Sequence, residues 1–346
     1  MLSELIKKRA LPPLLHREEM LKLLLNEAYG NPVPKPDSIE FSVRENTRAH
    51  FCAGKAFLDL IDVRVAFGDK SFSFPVKLSR PCADGRHPFF IHINFRDAVP
   101  DLYMPTEELI DNGFAVLSFS YLDITSDDGD FTNGLAGVLY PDGKRGSRDA
   151  GKIAMWAWAA SRVMDYAETR PDIFDLSRVA VCGHSRLGKT ALLAGALDER
   201  FTFVYSNDSG CSGAAVSREK QGESVDKICT RFPYWFCEEY YKYGDKVDTM
   251  PFDQHWLIAS IAPRFVLVGS AAEDIWADPE SEMLSCLAAS PAYAAFELPG
   301  FIGDDRSPIA GDAWLDGRIG YHIRKGEHYF SRTDWHRFIA FINKHS

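Results

Sequence analysis

The segment Gly183-His-Ser-Arg-Leu-Gly-Lys-Thr190 carries the residue types and spacing best suited to chemistry in this sequence. The hydrophobic pattern predicts a buried strand directly before it and a helix directly after it. A serine in a tight turn between a strand and a helix is typical of a nucleophile elbow, where the following N–H helps to form an oxyanion hole. Gly183 supplies the first glycine of G-x-S-x-G, but Leu187 occupies the second position and Gly188 follows one residue late.

Two other interpretations fit the same segment. Residues 183–190 match the phosphate-loop pattern G-x-x-x-x-G-K-[ST] completely, although the interior His-Ser-Arg-Leu is bulky where backbone amides should surround phosphate. A dinucleotide fingerprint would place Asp208 at the expected distance, but Ser185 then replaces a glycine that must approach the pyrophosphate. From this segment alone, all three interpretations stay open.

The rest of the chain favours the nucleophile elbow. That interpretation requires an acid and then a histidine downstream, each at the end of a strand. Asp208 follows a predicted strand over 201–206, Asp274 follows one over 264–269, and His328 follows one over 319–323. A phosphate loop has no use for such a histidine. We therefore predict Ser185 as nucleophile and His328 as general base, with either Asp208 or Asp274 as the acid.

Each of these residues also has an ordinary structural alternative. Ser185 could cap the following helix, and His328 could be a histidine in a surface loop. Asp208 and Asp274 both stand in stretches whose composition is typical of turns.

The surrounding pattern predicts the elements that position these residues. Strands and helices alternate from residue 88 onward, which predicts a mostly parallel central sheet with helices on both faces. The chain order serine, acid, histidine is that of the α/β-hydrolase fold, which is therefore the predicted fold. Residues 1–55 are predicted as a helical leader and linker, and 56–346 as the hydrolase domain, which opens with an antiparallel hairpin over 58–78. Residues 214–253 interrupt the alternation and predict a lid-like helical insertion over the strand ends.

The amino-acid composition limits the classes of partner that can be expected for this chain. The chain has 346 residues and a formal net charge of −10, so neither nucleic acid nor an anionic membrane is expected as a partner. The first twenty residues lack the pattern of a secretion signal, and the seven cysteines are scattered, which favours a cytoplasmic protein. The histidines lack a metal-binding spacing, so we expect no metal and no other cofactor.

With these residues assembled, the sequence resembles the glucuronoyl esterases (carbohydrate esterase family 15), especially their bacterial branch. The resemblance runs from about residue 89 to the C-terminus. The matching segments are Gly183-His-Ser-Arg-Leu-Gly-Lys189, Ser206-Asn-Asp-Ser-Gly210, Asp253-Gln-His255, Ile261-Ala-Pro-Arg264, Asp274-Ile-Trp-Ala-Asp-Pro279 and Gly326-Glu-His328. The late glycine is that family's own variant of the elbow, and it explains the coincidental phosphate-loop pattern.

The resemblance implies that Arg186 stabilises the oxyanion and that Lys189 contacts sugar hydroxyl groups. It also implies that Trp276 packs near the uronic acid and that Gln221 or Glu223 lines the sugar site. The acid after the 201–206 strand is commonly Glu in the family, whereas this chain has Asp208.

The resemblance implies a serine carboxylic ester hydrolase acting on a carbohydrate ester, most simply a (4-O-methyl)glucuronoyl ester of a small sugar or oligosaccharide. A cytoplasmic protein would meet a small imported sugar ester rather than plant cell wall. An acetyl xylan or acetyl sugar esterase with the same triad is the alternative within enzymes, and a P-loop nucleotide-binding protein is the alternative from another class. Whether the chain forms a homo-oligomer is left open.

Overall fold

A computed structural model describes residues 1–346 of the chain. Its centre is a single ten-stranded mixed sheet with the strand order β1-β2-β3-β5-β4-β6-β7-β8-β10-β9. The strands are β1 (Ser38–Arg44), β2 (Ala56–Phe67), β3 (Lys70–Pro81), β4 (His87–Asn94), β5 (Ala115–Ser120), β6 (Phe174–His184), β7 (Phe203–Asn207), β8 (Phe265–Ala271), β9 (Ala313–Trp314) and β10 (Ile319–Arg324).

Helices flank this sheet. The α-helices are α1 (Leu2–Lys8), α2 (Arg17–Leu24), α3 (Thr106–Asp111), α4 (Gly134–Leu139), α5 (Lys152–Glu168), α6 (Arg186–Leu197), α7 (Val225–Arg231), α8 (His255–Ala259), α9 (Pro279–Ala289), α10 (Pro291–Ala294) and α11 (Arg332–Lys344). A π-helical turn, Leu25–Tyr29, continues α2. Short 3₁₀ helices cover Phe51–Gly54, Tyr121–Asp123, Pro233–Trp235, Glu238–Tyr243 and Val247–Thr249. No helix is both long and apolar enough to span a lipid bilayer.

The sheet is antiparallel at its N-terminal edge and parallel in its centre. The predicted hairpin is confirmed, since β2 and β3 pair antiparallel from Phe67 opposite Lys70 at the two-residue turn. From β5 through β10 the strands pair in parallel, so their carboxyl ends meet at one edge. This edge is where an open α/β sheet places its ligand site.

Two hydrophobic cores lie on opposite faces of the sheet. Along β4, Phe89 and Ile91 belong to the larger core, which α5 and α6 cover, whereas Phe90 faces the smaller core. That smaller core is closed by Trp335 and Phe338 of α11. Successive side chains of a strand point to opposite faces, so the apolar run over residues 88–91 of β4 fills both cores. The predicted α/β-hydrolase architecture, with helices on both faces, is therefore observed.

The region 1–55 contains helices, as expected for the leader, and also a strand that was not predicted. It contributes β1, which pairs antiparallel with β2, so this part of the region is strand rather than linker. Met20, Leu24 and Tyr29 are buried in the larger core, and the Tyr29 hydroxyl donates to the backbone oxygen of Ser212 at 2.9 Å. The region thus packs as part of the sheet and core, while the division of the chain at residue 55 stays a prediction.

Candidate active site

Ser185 lies in a strained turn between β6 and α6. Its φ and ψ are 59° and −127°, an arrangement that side-chain-bearing residues seldom adopt. Two glycines make the turn sterically possible. A Cβ on Gly183 would lie 2.2 Å from the Leu187 oxygen, and one on Gly188 would lie 3.0 Å from the Cβ of Ser209. The late glycine therefore lets α6 pass close to the loop that follows β7.

His328 and Asp274 form a direct pair. The His328 Nδ1 lies 2.7 Å from Asp274 Oδ2, and the other carboxylate oxygen of Asp274 accepts the Ala277 N–H at 3.1 Å. Burial raises the pKa of Asp274, but the hydrogen bond and charge of His328 outweigh this effect and hold the pKa below its usual range. Asp274 is therefore ionised near neutral pH and can orient the imidazole, leaving Nε2 as the basic atom.

Asp208, the other predicted acid, lies beside this pair but does not make the hydrogen bond. Ligand atoms of Asp208, Asp274 and His328 all lie within 4.8 Å of one another. Asp208 is buried, its Oδ1 has no partner, and its Oδ2 lies 3.4 Å from Arg324 Nη2. Burial, reinforced by the charge of Glu282, raises the pKa of Asp208 well above its usual range. Asp208 thus lies beside the pair and faces Arg324, while Asp274 makes the hydrogen bond to His328.

The same three groups could in principle ligate a metal ion. A cation would have to replace the proton between His328 and Asp274 and also ionise Asp208, whose pKa is raised. The cluster suits proton transfer better than metal binding.

Two residues that the sequence analysis did not single out support His328. The His184 ring lies beneath it with centroids 4.5 Å apart, and His184 Nδ1 lies 2.7 Å from Asn207 Oδ1. Burial lowers the pKa of His184 well below its usual range, so its ring is neutral and does not repel a protonated His328. Arg324 donates to the backbone oxygens of Glu327, at 3.0 Å, and Tyr329, and so fixes the loop that carries the histidine.

A cavity of about 300 Å³ opens over Ser185 and His328. Its walls combine the predicted triad candidates with cations, one buried acid and aromatic side chains. The lining residues are Ser185, Arg186, Lys189, Asp208, Ser209, Gly210, Glu223, Arg231, Phe232, Trp235, Asp274, Trp276, Ala277 and His328. A larger groove of about 840 Å³ lies between residues 32–36 and helices α5 and α6, and contains none of these.

The structure brings four of the five predicted oxyanion and sugar residues to this cavity. Arg186, Lys189, Glu223 and Trp276 line it. Gln221 does not, because its backbone N–H donates to Asp278 at 2.8 Å and its side chain is exposed outside the cavity. The resemblance implied either Gln221 or Glu223 at the sugar site, and of these two Glu223 lines the cavity, while a sugar contact of Gln221 stays a prediction.

The cavity cations Lys189 and Arg186 have different hydrogen-bond partners. Lys189 is buried and donates to the backbone oxygen of Ser209, and burial lowers its pKa. The Arg186 guanidinium pairs with Asp127 and lies 4.8 Å from the Trp235 ring centroid. Trp276 remains about half exposed at the rim. The cavity therefore offers fixed positive groups beside the serine and an aromatic edge at its mouth.

The contacts of Lys189 and Thr190 weigh against the phosphate-loop interpretation. One N–H of the Lys189 ammonium donates to the Ser209 backbone oxygen, and the Thr190 hydroxyl donates to the Arg186 oxygen at 2.9 Å within α6. In a phosphate loop these two groups would instead face phosphate and Mg²⁺. Asp208, buried against Arg324, is equally unable to reach a ribose.

The residues that the sequence analysis missed lie far apart along the chain. Asp127 is 59 positions from Arg186, and Arg324 is 116 positions from Asp208. Phe232 and Trp235 belong to an aromatic cluster of the predicted lid, which was the one available signal for them.

Comparisons with known proteins identify relatives of this chain. The family model described as "Glucuronyl esterase, fungi" matches residues 63–297. A carbohydrate esterase from an unknown prokaryotic organism is 43% identical over 241 residues, which cover 69% of this chain and 55% of that protein. The 4-O-methyl-glucuronoyl methylesterase of Schizophyllum commune is 29% identical over 89% of this chain and 76% of its own length. The chain thus spans little more than half the length of the first of these relatives.

Solved structures show the same relationship. A promiscuous esterase of carbohydrate esterase family 15, from a marine bacterial metagenome, superposes with a TM-score of 0.83 at 34% identity, over 95% of this chain and 91% of that one. The glucuronoyl esterase of Solibacter usitatus superposes with a TM-score of 0.85 at 32% identity, over the same shares of 95% and 91%. The chain belongs to the glucuronoyl esterase family, carbohydrate esterase family 15, of the α/β-hydrolase fold.

Proposed function

We propose that the chain hydrolyses the ester between a uronic acid, most simply glucuronic or 4-O-methyl-glucuronic acid, and an alcohol. One observation carries the proposal: Ser185 stands in a strained turn, in the same small cavity as the bonded pair His328–Asp274. A strained serine beside an oriented imidazole is the arrangement that acyl transfer requires. The names of the fungal relatives, 4-O-methyl-glucuronoyl methylesterases, support the choice of ester.

In the first step the His328 Nε2 accepts the proton of Ser185 while the serine oxygen attacks the ester carbonyl. Asp274 keeps the other imidazole proton on Nδ1 and stabilises the positive charge that forms on the ring. The C–O bond to the alcohol then breaks, and the alcohol leaves with the proton from His328. Water repeats the sequence on the acyl-enzyme, which releases the uronic acid and restores the free serine.

The oxyanion forms at the N-terminus of α6. As the first residue of that helix, Arg186 has a backbone N–H without an intrahelical partner, and its guanidinium lines the same cavity. Both groups can donate to the developing negative charge. A single donor of this kind contributes about 3–4 kcal/mol to the stability of the transition state.

The sugar would occupy the remainder of the cavity. Lys189 and Glu223 are both buried in its wall, so each offers a charged hydrogen-bonding group at a fixed position. Trp276 at the rim can pack on one face of the pyranose ring. This combination of paired charges and one aromatic surface suits a polar sugar more than a simple fatty acyl chain.

The experiment compares hydrolysis of methyl glucuronate and benzyl glucuronate esters with that of acetylated xylose. We expect the wild type to cleave the uronate esters at least about tenfold more efficiently in kcat/KM, a difference of 1.4 kcal/mol in transition-state binding. Ser185→Ala should abolish the activity. Ser285, which is buried in α9 with a hydroxyl that has no partner, provides a matched serine control, and Ser285→Ala should keep the ester preference.

A preference for the acetyl ester would replace the uronate assignment with the acetyl sugar esterase alternative, since both reactions use the same serine. Equal hydrolysis by wild type and Ser185→Ala would reject the esterase mechanism itself.

A further inference from the structure

One carboxylate contacts both the arginine of the cavity and the aromatic wall of the lid. Asp127 Oδ1 accepts the indole N–H of Trp235 at 2.7 Å. Asp127 Oδ2 accepts from the Arg186 guanidinium and, at 3.0 Å, from the Tyr121 hydroxyl. Both oxygens of this carboxylate therefore accept hydrogen bonds, and the three donors come from three different parts of the chain.

Arg186 needs such a partner for two reasons. Its guanidinium sits beside the N-terminus of α6, where the helix dipole is positive and disfavours a second positive charge. Its side chain is also long, so several rotamers compete unless a fixed acceptor selects one. Asp127 meets both needs, because it supplies a negative charge and a directional acceptor.

Asp127 itself is held by a rigid loop. The ammonium of Lys152 is fully buried under this loop, and it donates to the Thr125 hydroxyl at 2.8 Å and to the Asp130 backbone oxygen at 2.6 Å. Asn133 closes the loop, since its Oδ1 accepts the Ser126 N–H at 3.0 Å. The groups on both sides of Asp127 are thus bonded to the protein interior.

The lid contributes the remaining contacts. The Trp235 ring stacks on Phe232 with centroids 3.9 Å apart, and the guanidinium of Arg186 lies within 5.5 Å of both ring centroids. Arg186 is therefore enclosed by Asp127 on one side and by two lid aromatics on another. A carboxylate that bonds the indole and the guanidinium together fixes their relative positions.

We propose that Asp127 is a positioning residue that sets Arg186 and Trp235 in the geometry needed for oxyanion stabilisation and thereby couples the lid to the catalytic turn. The inference rests on the proposed function, because its consequence for rate requires Arg186 to stabilise the transition state. Asp127 does not line the cavity, so its effect passes through the two residues that do.

The test substitutes Asp127→Asn, which preserves shape but leaves one acceptor atom where two are used. Either Trp235 or Arg186 then faces an amide NH₂ in place of an oxygen. We expect kcat on methyl glucuronate to fall about 10- to 100-fold while KM changes less than about threefold, since the lost interaction belongs to the transition state. Asp128→Asn is the matched control, because that carboxylate lies in the same loop and accepts only from Ser126 and Asp130.

A double-mutant cycle separates positioning from general damage. In an Arg186→Ala background, Asp127→Asn should reduce kcat by less than about threefold further, because the arginine that it positions is gone. An independent signal comes from the seven tryptophan indole N–H resonances, in which the Trp235 signal is assigned with Trp235→Phe. We expect that signal to move in Asp127→Asn and to stay in Asp128→Asn.

The outcomes are distinguishable. A loss of the same size in both backgrounds, an equal loss in Asp128→Asn, or an unchanged kcat in Asp127→Asn would overturn the inference. If the wild type does not cleave the ester, or Ser185→Ala cleaves it equally well, the proposed function fails and takes the inference with it. When those two controls behave as expected, a failure belongs to Asp127 alone.

Discussion

The substitution Asp274→Asn should remove most of the activity through a change of tautomer. Asp274 Oδ1 accepts the Ala277 N–H and Oδ2 faces His328 Nδ1. An asparagine must keep its oxygen on the backbone N–H, which has no other acceptor in this turn. Its NH₂ group then faces Nδ1, and the imidazole proton moves to Nε2, where a base is needed.

The magnitude follows from the loss of that base. A triad histidine held in the wrong tautomer costs about 10⁴-fold in kcat, which corresponds to about 5 kcal/mol of activation free energy. The neighbouring Asp208 should not replace the lost contact, because its Oδ2 faces Arg324 and neither of its oxygens is hydrogen-bonded to His328. We expect KM to change little, since the sugar contacts lie elsewhere in the cavity.

The assay measures kcat and KM on methyl glucuronate for Asp274→Asn and Asp208→Asn, with folding checked by thermal denaturation. Asp208→Asn should lose less than about tenfold, because Asp208 does not make the hydrogen bond that orients His328. The reverse order, with Asp208→Asn nearly inactive and Asp274→Asn nearly normal, would refute the assignment of the acid.

Three further outcomes are expected. Gly183→Ala should lower the free energy of unfolding by about 1–3 kcal/mol, because the new Cβ would lie 2.2 Å from the Leu187 backbone oxygen of α6. A Cβ on Gly129 would meet no atom within 4 Å, so Gly129→Ala should be tolerated in the same denaturation experiment. Burial raises the pKa of Glu282 to about 7, so the native state keeps a proton that the unfolded state releases near pH 4.5. The contribution of Glu282 to the free energy of unfolding should therefore fall as the pH rises from about 5 to about 7. Glu282→Gln should flatten this pH dependence in denaturant titrations. Lys189→Met should raise KM for the uronate ester more than it raises KM for an acetyl ester, which steady-state kinetics on both substrates would check.

The catalytic turn was predictable because its signal is local. A strand, a serine two residues after a glycine, and a helix are contiguous in the sequence. His328 was also predictable, since the order of residues along an α/β sheet constrains which strand end can supply the base.

The acid could not be assigned from the sequence. Both Asp208 and Asp274 follow parallel strands at the same edge of the sheet, so strand order does not separate them. The choice depends on loop conformation, which turns Asp208 toward Arg324 and Asp274 toward His328. Asp127 and Arg324 were missed for the same reason, because their partners lie far away in sequence.

The first strand was missed despite a visible signal. Residues 38–44 alternate between exposed and partly buried positions, with Ile39, Phe41 and Val43 on the inner face. Prolines at positions 32, 34 and 36 directly precede the strand, and they favour a linker between the helical leader and the hydrolase domain. The cytoplasmic location and the oligomeric state of the chain both stay predictions.

Labelling with a fluorophosphonate probe, followed by peptide mass spectrometry, tests the central claim most directly. The account predicts one phosphonylated residue, Ser185, with labelling lost in Ser185→Ala and strongly slowed in His328→Ala. A well-folded wild type that resists the probe, or a label on another serine, would contradict an activated nucleophile at this turn.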